Sequence, residues 1–523
     1  MPTMLDQNNT LELFARIKPI VGDALFNKQI MFVGDFKDPA LMEYFVSCGV
    51  TQYSQLFVEQ KLDSSKELFF STVEKLSDRL ELNIQAKIVS QAQEQDTDLI
   101  IATGDYQTYA LVKELVVKYQ KAAIFYCLIN SSGLVFFLLP NRLVELPKSL
   151  FDQAVSQQND DFLAKLHLNN IVANYAKGLL LAKTKYIRED IENIVNNHKC
   201  LLVGHSSWPW IVQPVELEAL PSLLRNLLAH KQTINSSSLR GKTCLIVGLG
   251  SLGSVIAENL AQLGANLVLV DGETVEATNP IRQIYRLDQV TMPKVVACVK
   301  QLTNCLKIND GFNNAQKFFT YGKAISAEND STLALEQLID KYSPDIAILA
   351  TGTATDRIIS QTLREKEIPQ IIVSCYARAR FFEAIVIANK TSPCFGCIRG
   401  HLYLGATPSF TAEQRARYVS SEHDLMAEPA TRVETSRASD LATHLVYGLL
   451  NLAANSWLER ALAENMTFFL GGNTAEKQKD QWAYNIKIPG EVKLFGLTDI
   501  VGRGNYIECW DCGRKLDVKV QIS

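Results

Sequence analysis

The sequence repeats one series of apolar segments twice in the same order, and this repetition limits the fold more than any other feature. KQIMFVGD, which begins at Lys28, resembles KTCLIVGL, which begins at Lys242. Four more pairs follow in order: DLIIATG and DIAILATG, AIFYCLI and QIIVSCYA, YAKGLLLA and LVYGLLNLA, and KCLLVGH and MTFFLGG. Ordered self-similarity indicates a duplicated structural unit. We therefore predict two copies of one module, at residues 1–225 and 226–523.

The first repeated pair is a strand that runs into a glycine, and strands alternate with helical patterns through both copies. Such alternation is typical of a mostly parallel sheet covered by helices. The predicted fold class is thus α/β, with two Rossmann-like, doubly wound modules in tandem. We also expect the two modules to pack as a pseudo-two-fold pair, a pseudo-dimer within a single chain.

A glycine motif distinguishes the second copy from the first. The run LIVGLGSLGS places Gly248, Gly250 and Gly253 in the order G-x-G-x-x-G, directly after a predicted strand. Backbone N–H groups in such a turn can approach phosphate, and Asp271 ends the next strand, where a carboxylate can bind ribose hydroxyls. The first copy has VGDFKDPA instead. We therefore predict nucleotide binding in the second copy alone.

The segment after Asp271 carries an amide and two cations, Asn279, Arg282 and Lys294. A dinucleotide bound at a helix N-terminus needs few additional cations. A triphosphate attacked at its α-phosphorus does need them, because its negative charge must be neutralised through the transition state. The pattern favours phosphoryl chemistry over hydride transfer.

Composition and charge narrow the possible partners and compartment. The net charge of −4 gives no basic surface for nucleic acid, and we expect neither a nucleic-acid nor a membrane partner. Eleven cysteines are an odd number, and four of them form two C-x-x-C pairs. This usage indicates a metal site in a reducing, cytoplasmic compartment rather than a disulfide framework.

These motifs together resemble the E1-like adenylating enzymes of the ThiF/MoeB type. The shared pattern is the glycine motif, the acidic residue, then N-x-x-R-Q and a lysine about a dozen residues later, which match Asn279, Arg282, Gln283 and Lys294. The family also has two C-x-x-C pairs that bind a structural zinc, matching Cys394, Cys397, Cys509 and Cys512. A degenerate module before an active one is similar to single-chain activating enzymes of ubiquitin-like proteins.

The resemblance implies ATP-dependent adenylation of a C-terminal carboxylate, with Mg²⁺ and Zn²⁺ as metal cofactors. The acyl substrate would be a small ubiquitin-like protein of the β-grasp fold, or a peptide. Residues 1–225 would be the inactive module and residues 226–523 the active, ATP-binding one. Arg16 is the candidate for the arginine that such dimers insert into the partner module's site.

The sequence departs from the family pattern at the expected magnesium ligand. The family places an aspartate at the end of a strand where this chain has Leu349 or Ala350. Asp356, in the following segment, is a possible substitute. The magnesium ligand therefore stays open at the level of sequence.

The sequence also departs from the family pattern at the cysteine that would act as nucleophile in a thioester step. Family members often carry a cysteine between the two C-x-x-C pairs, and this chain has none between Cys397 and Cys509. Cys375 is the alternative, because it ends an apolar strand and Arg378 or Arg380 could lower its pKa. Cys127 occupies the matching place in the first copy, however, which favours an inherited core position. We predict that the reaction stops at the adenylate, or that an E2-like or other thiol-bearing partner supplies the thiol.

Two other functions are compatible with parts of the pattern. A pseudoenzyme that docks a ubiquitin-like or leader-peptide partner would explain the missing aspartate. It would leave the intact set of glycines, Asn279, Arg282 and Lys294 without a role. A nicotinamide-dependent oxidoreductase would explain Asp271, but it leaves Arg282 and Lys294 unexplained. Binding of ATP compared with NAD separates the adenylating enzyme from the oxidoreductase, and pyrophosphate exchange separates it from the docking module.

Overall fold

The chain folds into two compact units in a computed structural model. Unit 1 comprises Met1–Asn235, Thr431–Val433 and Gly472–Glu491, and unit 2 comprises Ser236–Ala430, Glu434–Gly471 and Val492–Ser523. The structure describes residues 13, 25–34, 38–57, 63–89, 96–146, 148, 151, 161–181, 185–204, 210–229, 238–308, 316–325, 329–353, 355–376, 379–399, 430–453, 456–473, 489–496, 508–509 and 511–514.

Unit 1 contains an eight-stranded mixed sheet of order β3-β2-β1-β4-β5-β6-β7-β8. The strands are β1 (Gln29–Gly34), β2 (Gln52–Leu56), β3 (Gln85–Val89), β4 (Leu99–Thr103), β5 (Ala123–Ile129), β6 (Ser132–Leu138), β7 (Lys199–Val203) and β8 (Val212–Glu216). Strands β1 to β5 pair in parallel, and β5 to β8 pair antiparallel. The parallel strands are continuous apolar runs because both faces of a parallel sheet are covered.

Helices pack on this sheet and bury an apolar core. They are α1 (Pro39–Ser47), α2 (Asp63–Leu80), α3 (Tyr106–Tyr119), α4 (Phe162–Leu180), α5 (Lys185–Asn196) and α6 (Leu220–Ala229). Helix α3 begins where Asp105 accepts a hydrogen bond from the Thr108 backbone N–H at 2.9 Å, as an N-cap does. Its Tyr109 and Val112 pack against β5 residues such as Phe125 in one buried cluster.

Unit 2 contains a second eight-stranded sheet, of order β11-β10-β9-β12-β13-β14-β15-β16. Its strands are β9 (Thr243–Val247), β10 (Asn266–Val270), β11 (Phe318–Tyr321), β12 (Ile346–Leu349), β13 (Gln370–Tyr376), β14 (Phe381–Ile387), β15 (Met466–Gly472) and β16 (Val492–Gly496). Strands β9 to β13 pair in parallel, whereas β14 pairs antiparallel with β13 and β16 with β15.

The helices that follow these strands are α7 (Gly253–Gln262), α8 (Lys294–Ile308), α9 (Asn329–Tyr342), α10 (Thr355–Glu365), α11 (Phe395–Arg399), α12 (Arg432–Leu450) and α13 (Trp457–Ala463). Over the described residues, no helix combines the length and apolar content needed to cross a bilayer.

The two sheets have the same strand order, which confirms the α/β prediction of two Rossmann-like modules in tandem. The repeated glycines also match in conformation, since φ is +92° at Gly34 and +90° at Gly248. At each, an added Cβ would collide with a carbonyl oxygen from the adjacent strand's end, that of Thr103 or of Ala350. A left-handed φ with this close approach requires glycine. The pseudo-dimer arrangement stays a prediction.

Candidate nucleotide site and tetracysteine cluster

The glycine motif forms the turn from β9 into α7. The Gly248 N–H donates to the Val270 carbonyl at 2.9 Å, which ties the turn to β10. An added Cβ at Gly253 would overlap the Gly248 carbonyl oxygen, whereas one at Gly250 would meet nothing within 4 Å. The geometry of the turn therefore requires glycine at positions 248 and 253. Gly250 leaves open space beside the backbone, as a phosphate site requires.

Substitutions at Gly253 and Gly250 should therefore distinguish a packing role from a nucleotide-binding role. We expect Gly253→Ala to destabilise unit 2 by about 1–3 kcal/mol, because a close-packed backbone must move. Gly250→Ala should change stability by less than about 0.5 kcal/mol while weakening ATP binding. Urea denaturation followed by fluorescence, together with equilibrium dialysis of ATP, measures both quantities. Equal destabilisation by the two variants would contradict this reading of the turn.

Asp271 lies directly against the glycine turn, at the end of β10. Its Oδ2 accepts a hydrogen bond from the Leu249 N–H at 2.6 Å, and its Oδ1 accepts one from the Glu273 N–H at 2.8 Å. Burial raises the pKa of this carboxyl group, while Lys294 and the two N–H donors act to lower it. The carboxylate is thus fixed beside the turn where a ribose would lie.

Tyr285 is a site residue that the sequence reasoning missed. Its buried hydroxyl donates to the Leu249 carbonyl at 2.7 Å, so it holds the same residue of the glycine turn whose N–H donates to Asp271. The contact joins positions 36 residues apart. A tyrosine shortly after the N-x-x-R-Q motif was visible in the sequence, but nothing there linked it to the turn.

The Asn279–Gln283 segment is a compact, buried turn. The Asn279 Oδ1 accepts from the Glu276 N–H at 3.1 Å, and the Asn279 carbonyl accepts from the N–H groups of Arg282 at 3.0 Å and Gln283 at 2.9 Å. Asn279, Arg282 and Gln283 are all buried. The asparagine therefore shapes the backbone that carries Arg282, and a role of its side-chain amide at phosphate stays a prediction.

Lys294 begins helix α8 and is 5% exposed. Its Nζ forms an ion pair with the Glu273 carboxylate, whose side chain is 55% exposed. Lys294 is also close enough to Asp271 for its charge to act on that carboxyl group. The structure therefore brings Lys294, Asp271 and the glycine turn together at one edge of the sheet.

Asp356 lies at the same edge, because β12 is parallel to its neighbour β9. Its Oδ1 accepts a hydrogen bond from the Thr351 hydroxyl at 2.6 Å, two residues beyond the end of β12. Leu349, by contrast, is fully buried in the sheet and has no metal-binding atom. Between these positions, only Asp356 offers the carboxylate oxygen that Mg²⁺ prefers.

The four cysteines of the two C-x-x-C pairs come together, as predicted. Their Sγ atoms all lie within 4.8 Å of one another. Three Sγ–Sγ distances are 3.6 Å (Cys394–Cys397), 3.6 Å (Cys394–Cys509) and 3.5 Å (Cys397–Cys512). A tetrahedral zinc with Zn–S bonds of about 2.3 Å needs sulfur atoms about 3.8 Å apart. The cluster therefore fits a zinc ion with little adjustment.

Cys375 lies within β13, opposite Phe382 of β14. Burial raises the pKa of its thiol to about 12, which is the opposite of the lowering considered from Arg378 and Arg380. Burial also raises the pKa of the matching Cys127 to about 12. Cys127 is buried and Cys375 is half-buried, and the pKa of both thiols is raised. Arg378 and Arg16 lie outside the described residues.

Where the structure describes both units, unit 1 has different residues at two places that correspond to the unit 2 site. Val33 pairs with Leu56 as Val247 pairs with Val270, so Phe57 holds the place of Asp271. Asp38, just before α1, accepts a hydrogen bond from the Tyr126 hydroxyl at 2.8 Å and pairs with Lys165 at 3.2 Å. A buried carboxylate of the chain itself therefore lies at the helix start where a nucleotide phosphate would otherwise bind.

A family profile and several curated relatives match part of this chain. The ThiF family profile matches residues 225–461. Ubiquitin-like modifier-activating enzyme 5 of Arabidopsis thaliana is 34% identical over 121 residues, which is 22% of this chain and 27% of the relative. The protein of that name from Oryza sativa subsp. japonica is 43% identical over 70 residues, 13% of this chain and 17% of the relative. That from Dictyostelium discoideum is 38% identical over 71 residues, 13% and 19% of the two chains.

Proposed function

We propose, from the premise that residues 225–461 are an E1-like domain of the ThiF family, that unit 2 adenylates a carboxylate with ATP. The observation that carries the proposal is the meeting of the glycine turn, Asp271 and Lys294 at the carboxyl edge of the sheet. The sheet order reverses between β9 and β12. Ligands of open α/β sheets bind at such a switch point.

The cations favour a triphosphate over a dinucleotide. Lys294 is buried and held by Glu273, so its charge is available at a fixed place without solvent reorganisation. Arg282 is buried on the turn that Asn279 closes. Fixed cations of this kind stabilise the charge that develops during phosphoryl transfer.

In the proposed reaction, a carboxylate oxygen of the acyl partner attacks the α-phosphorus of ATP. A new P–O bond forms, and the bond from the α-phosphorus to the oxygen that bridges to the β-phosphate breaks. The products are an acyl adenylate and pyrophosphate. The glycine turn and Asp271 orient the nucleotide, while Arg282 and Lys294 neutralise the phosphates. Asp356 is the candidate ligand for Mg²⁺.

The acyl partner in this proposal is the carboxyl terminus of a small ubiquitin-like protein or a peptide. The support is the relatives' printed name, ubiquitin-like modifier-activating enzyme 5. An E2-like or other thiol-bearing partner would receive the acyl group. A zinc ion in the tetracysteine cluster would be structural, because four thiolates leave no open coordination position. A reducing, cytoplasmic compartment suits four free thiols.

A binding module is the second candidate, favoured by one observation. Leu349 or Ala350 holds the place of the family's aspartate, and neither side chain can bind a metal, so a magnesium ligand must come from elsewhere. The two functions differ in one measurement. A docking module can bind ATP without exchanging pyrophosphate, whereas an adenylating enzyme incorporates labelled pyrophosphate into ATP when its acyl partner is present.

The proposed function predicts that no thioester forms on Cys375. A thiol with a pKa of about 12 is almost entirely protonated at neutral pH and is a poor nucleophile. Parent and Cys375→Ser chains, incubated with MgATP and the acyl partner, should both show no thiol-sensitive adduct on a non-reducing gel. An adduct on the parent that disappears in Cys375→Ser would overturn the prediction.

A further inference from the structure

Helix α10 connects the tetracysteine cluster with the candidate nucleotide site through two adjacent residues. Asp356 accepts a hydrogen bond from Thr351, beyond the end of β12. Arg357, the next residue, contacts Asp511, which lies between the zinc-ligand candidates Cys509 and Cys512. The first turn of α10 therefore touches both sites within unit 2.

The contact between Arg357 and Asp511 is a forked charge pair. The Arg357 Nε lies 2.9 Å from Oδ1 and 3.0 Å from Oδ2 of Asp511, and Nη2 also donates to Oδ1. The Asp511 side chain is 4% exposed, against 39% for Arg357. A multidentate arginine–carboxylate pair fixes orientation as well as distance.

Gly396, inside the first C-x-x-C pair, makes room for this carboxylate. A Cβ at Gly396 would overlap the Asp511 side chain. The two C-x-x-C pairs therefore contact each other through Gly396 and Asp511 as well as through their sulfur atoms. Any shift of the second C-x-x-C pair would move Asp511 against Arg357.

The negative charge around the cluster also favours a cation at the position of Arg357. Four thiolates around Zn²⁺ carry a net charge of −2, and Asp511 adds another negative charge. Arg357 lies close enough to Cys394 and Cys509 for their charges to act on it. Residues just outside the ligand set orient ligands and tune metal affinity.

We propose that Arg357 is a positioning residue that couples metal binding at the tetracysteine cluster to Mg²⁺-dependent ATP binding. A metal held by Cys509 and Cys512 would hold Asp511, which lies between them, in place. Asp511 orients Arg357 through the forked charge pair. The first turn of α10, which carries both Arg357 and Asp356, then holds Asp356 at the nucleotide site. This inference rests on the proposed function. It implies that removal of the metal weakens the binding of MgATP more than that of ATP alone.

The test compares the zinc-loaded full chain with Arg357→Ala, Arg357→Lys and the matched control Arg364→Ala. Arg364 lies in the same helix and donates to the Lys390 carbonyl, which belongs to neither C-x-x-C pair. Two quantities are measured on each protein: the rate of zinc transfer to a chromophoric chelator, and the ratio of ATP affinities with and without Mg²⁺. If Arg357 had only a structural role, its substitution would leave this ratio of ATP affinities, called the magnesium ratio, unchanged.

For Arg357→Ala we expect about 10–100-fold faster zinc transfer and a magnesium ratio reduced about fivefold or more. Arg357→Lys should fall in between, because it keeps the charge but loses the fork. Arg364→Ala should match the parent. An unchanged zinc rate or magnesium ratio in Arg357→Ala overturns the coupling alone. A parent chain that binds no MgATP overturns the proposed function as well, and the two failures are therefore distinguishable.

Discussion

Replacing Arg282 with alanine is expected to lower the rate of pyrophosphate exchange about a hundredfold, a loss of about 3 kcal/mol of transition-state stabilisation. Arg282 is buried, and its backbone is fixed by the turn that Asn279 closes. Its loss removes a preorganised cation from the phosphates. The measurement is incorporation of labelled pyrophosphate into ATP by the full chain with its acyl partner.

Arg286→Ala is the matched control for this experiment. Arg286 lies four residues farther along and pairs with Asp288 at 3.0 Å, with a third of its side chain exposed. An exposed pair of this kind contributes about 0–1 kcal/mol to stability, so exchange should continue at nearly the parent rate. Equal exchange by Arg282→Ala and the parent would remove Arg282 from the proposed site.

Substitution of a cluster cysteine should have the largest effect on stability. Cys397→Ser is expected to abolish stoichiometric zinc, because three thiolates and a hydroxyl hold zinc far less tightly than four thiolates. Structural zinc in small zinc-finger peptides binds with about 10–16 kcal/mol of apparent free energy, which acts as folding free energy. We therefore expect the thermal midpoint of unit 2 to fall by more than 10 °C, or about 3 kcal/mol or more at the midpoint.

Cys305→Ser provides the control for the cysteine experiment. Cys305 is a half-buried cysteine in α8, outside the cluster, and its Sγ lies 3.4 Å from a Glu258 oxygen. Elemental analysis should give one zinc per chain for the parent and for Cys305→Ser, and none for Cys397→Ser. A parent chain purified without zinc, and stable in a strong chelator, would contradict a structural zinc.

The sequence predicted those features that depend on strand order. Gly248, Asp271 and Asp356 all follow parallel strands, and parallel strands bring their carboxyl ends to one edge of a sheet. The two C-x-x-C pairs are over 100 residues apart, but their spacing indicated a metal site and the family resemblance implied that they meet, as they do. Both inferences needed only residue types and their spacing or order along the chain.

Contacts between side chains from separate segments could not be predicted in this way. The Tyr285 hydroxyl on Leu249, the Glu273 carboxylate on Lys294 and the Arg357 fork on Asp511 each depend on the packed fold. Cys375 shows the same limitation for pKa values. Nearby arginines in the sequence suggested a lowered pKa, whereas burial in the sheet raises it.

The asymmetry between the units was partly visible beforehand. The first copy's lack of the glycine motif predicted an inactive module. The structure adds Phe57 at the place of Asp271 and the Asp38 carboxylate at the start of α1. Both additions support the proposal that unit 1 does not bind nucleotide, and neither could be assigned before the strand register was known.

Pyrophosphate exchange by the full chain tests the central claim of carboxylate adenylation most directly. The acyl partner for this assay is the small protein or peptide that the immobilised chain retains in the presence of MgATP, which is then purified. The account predicts exchange that requires this partner and disappears when its terminal carboxylate is converted to an amide. Saturable MgATP binding without any partner-dependent exchange would contradict it, and would instead identify unit 2 as a docking module.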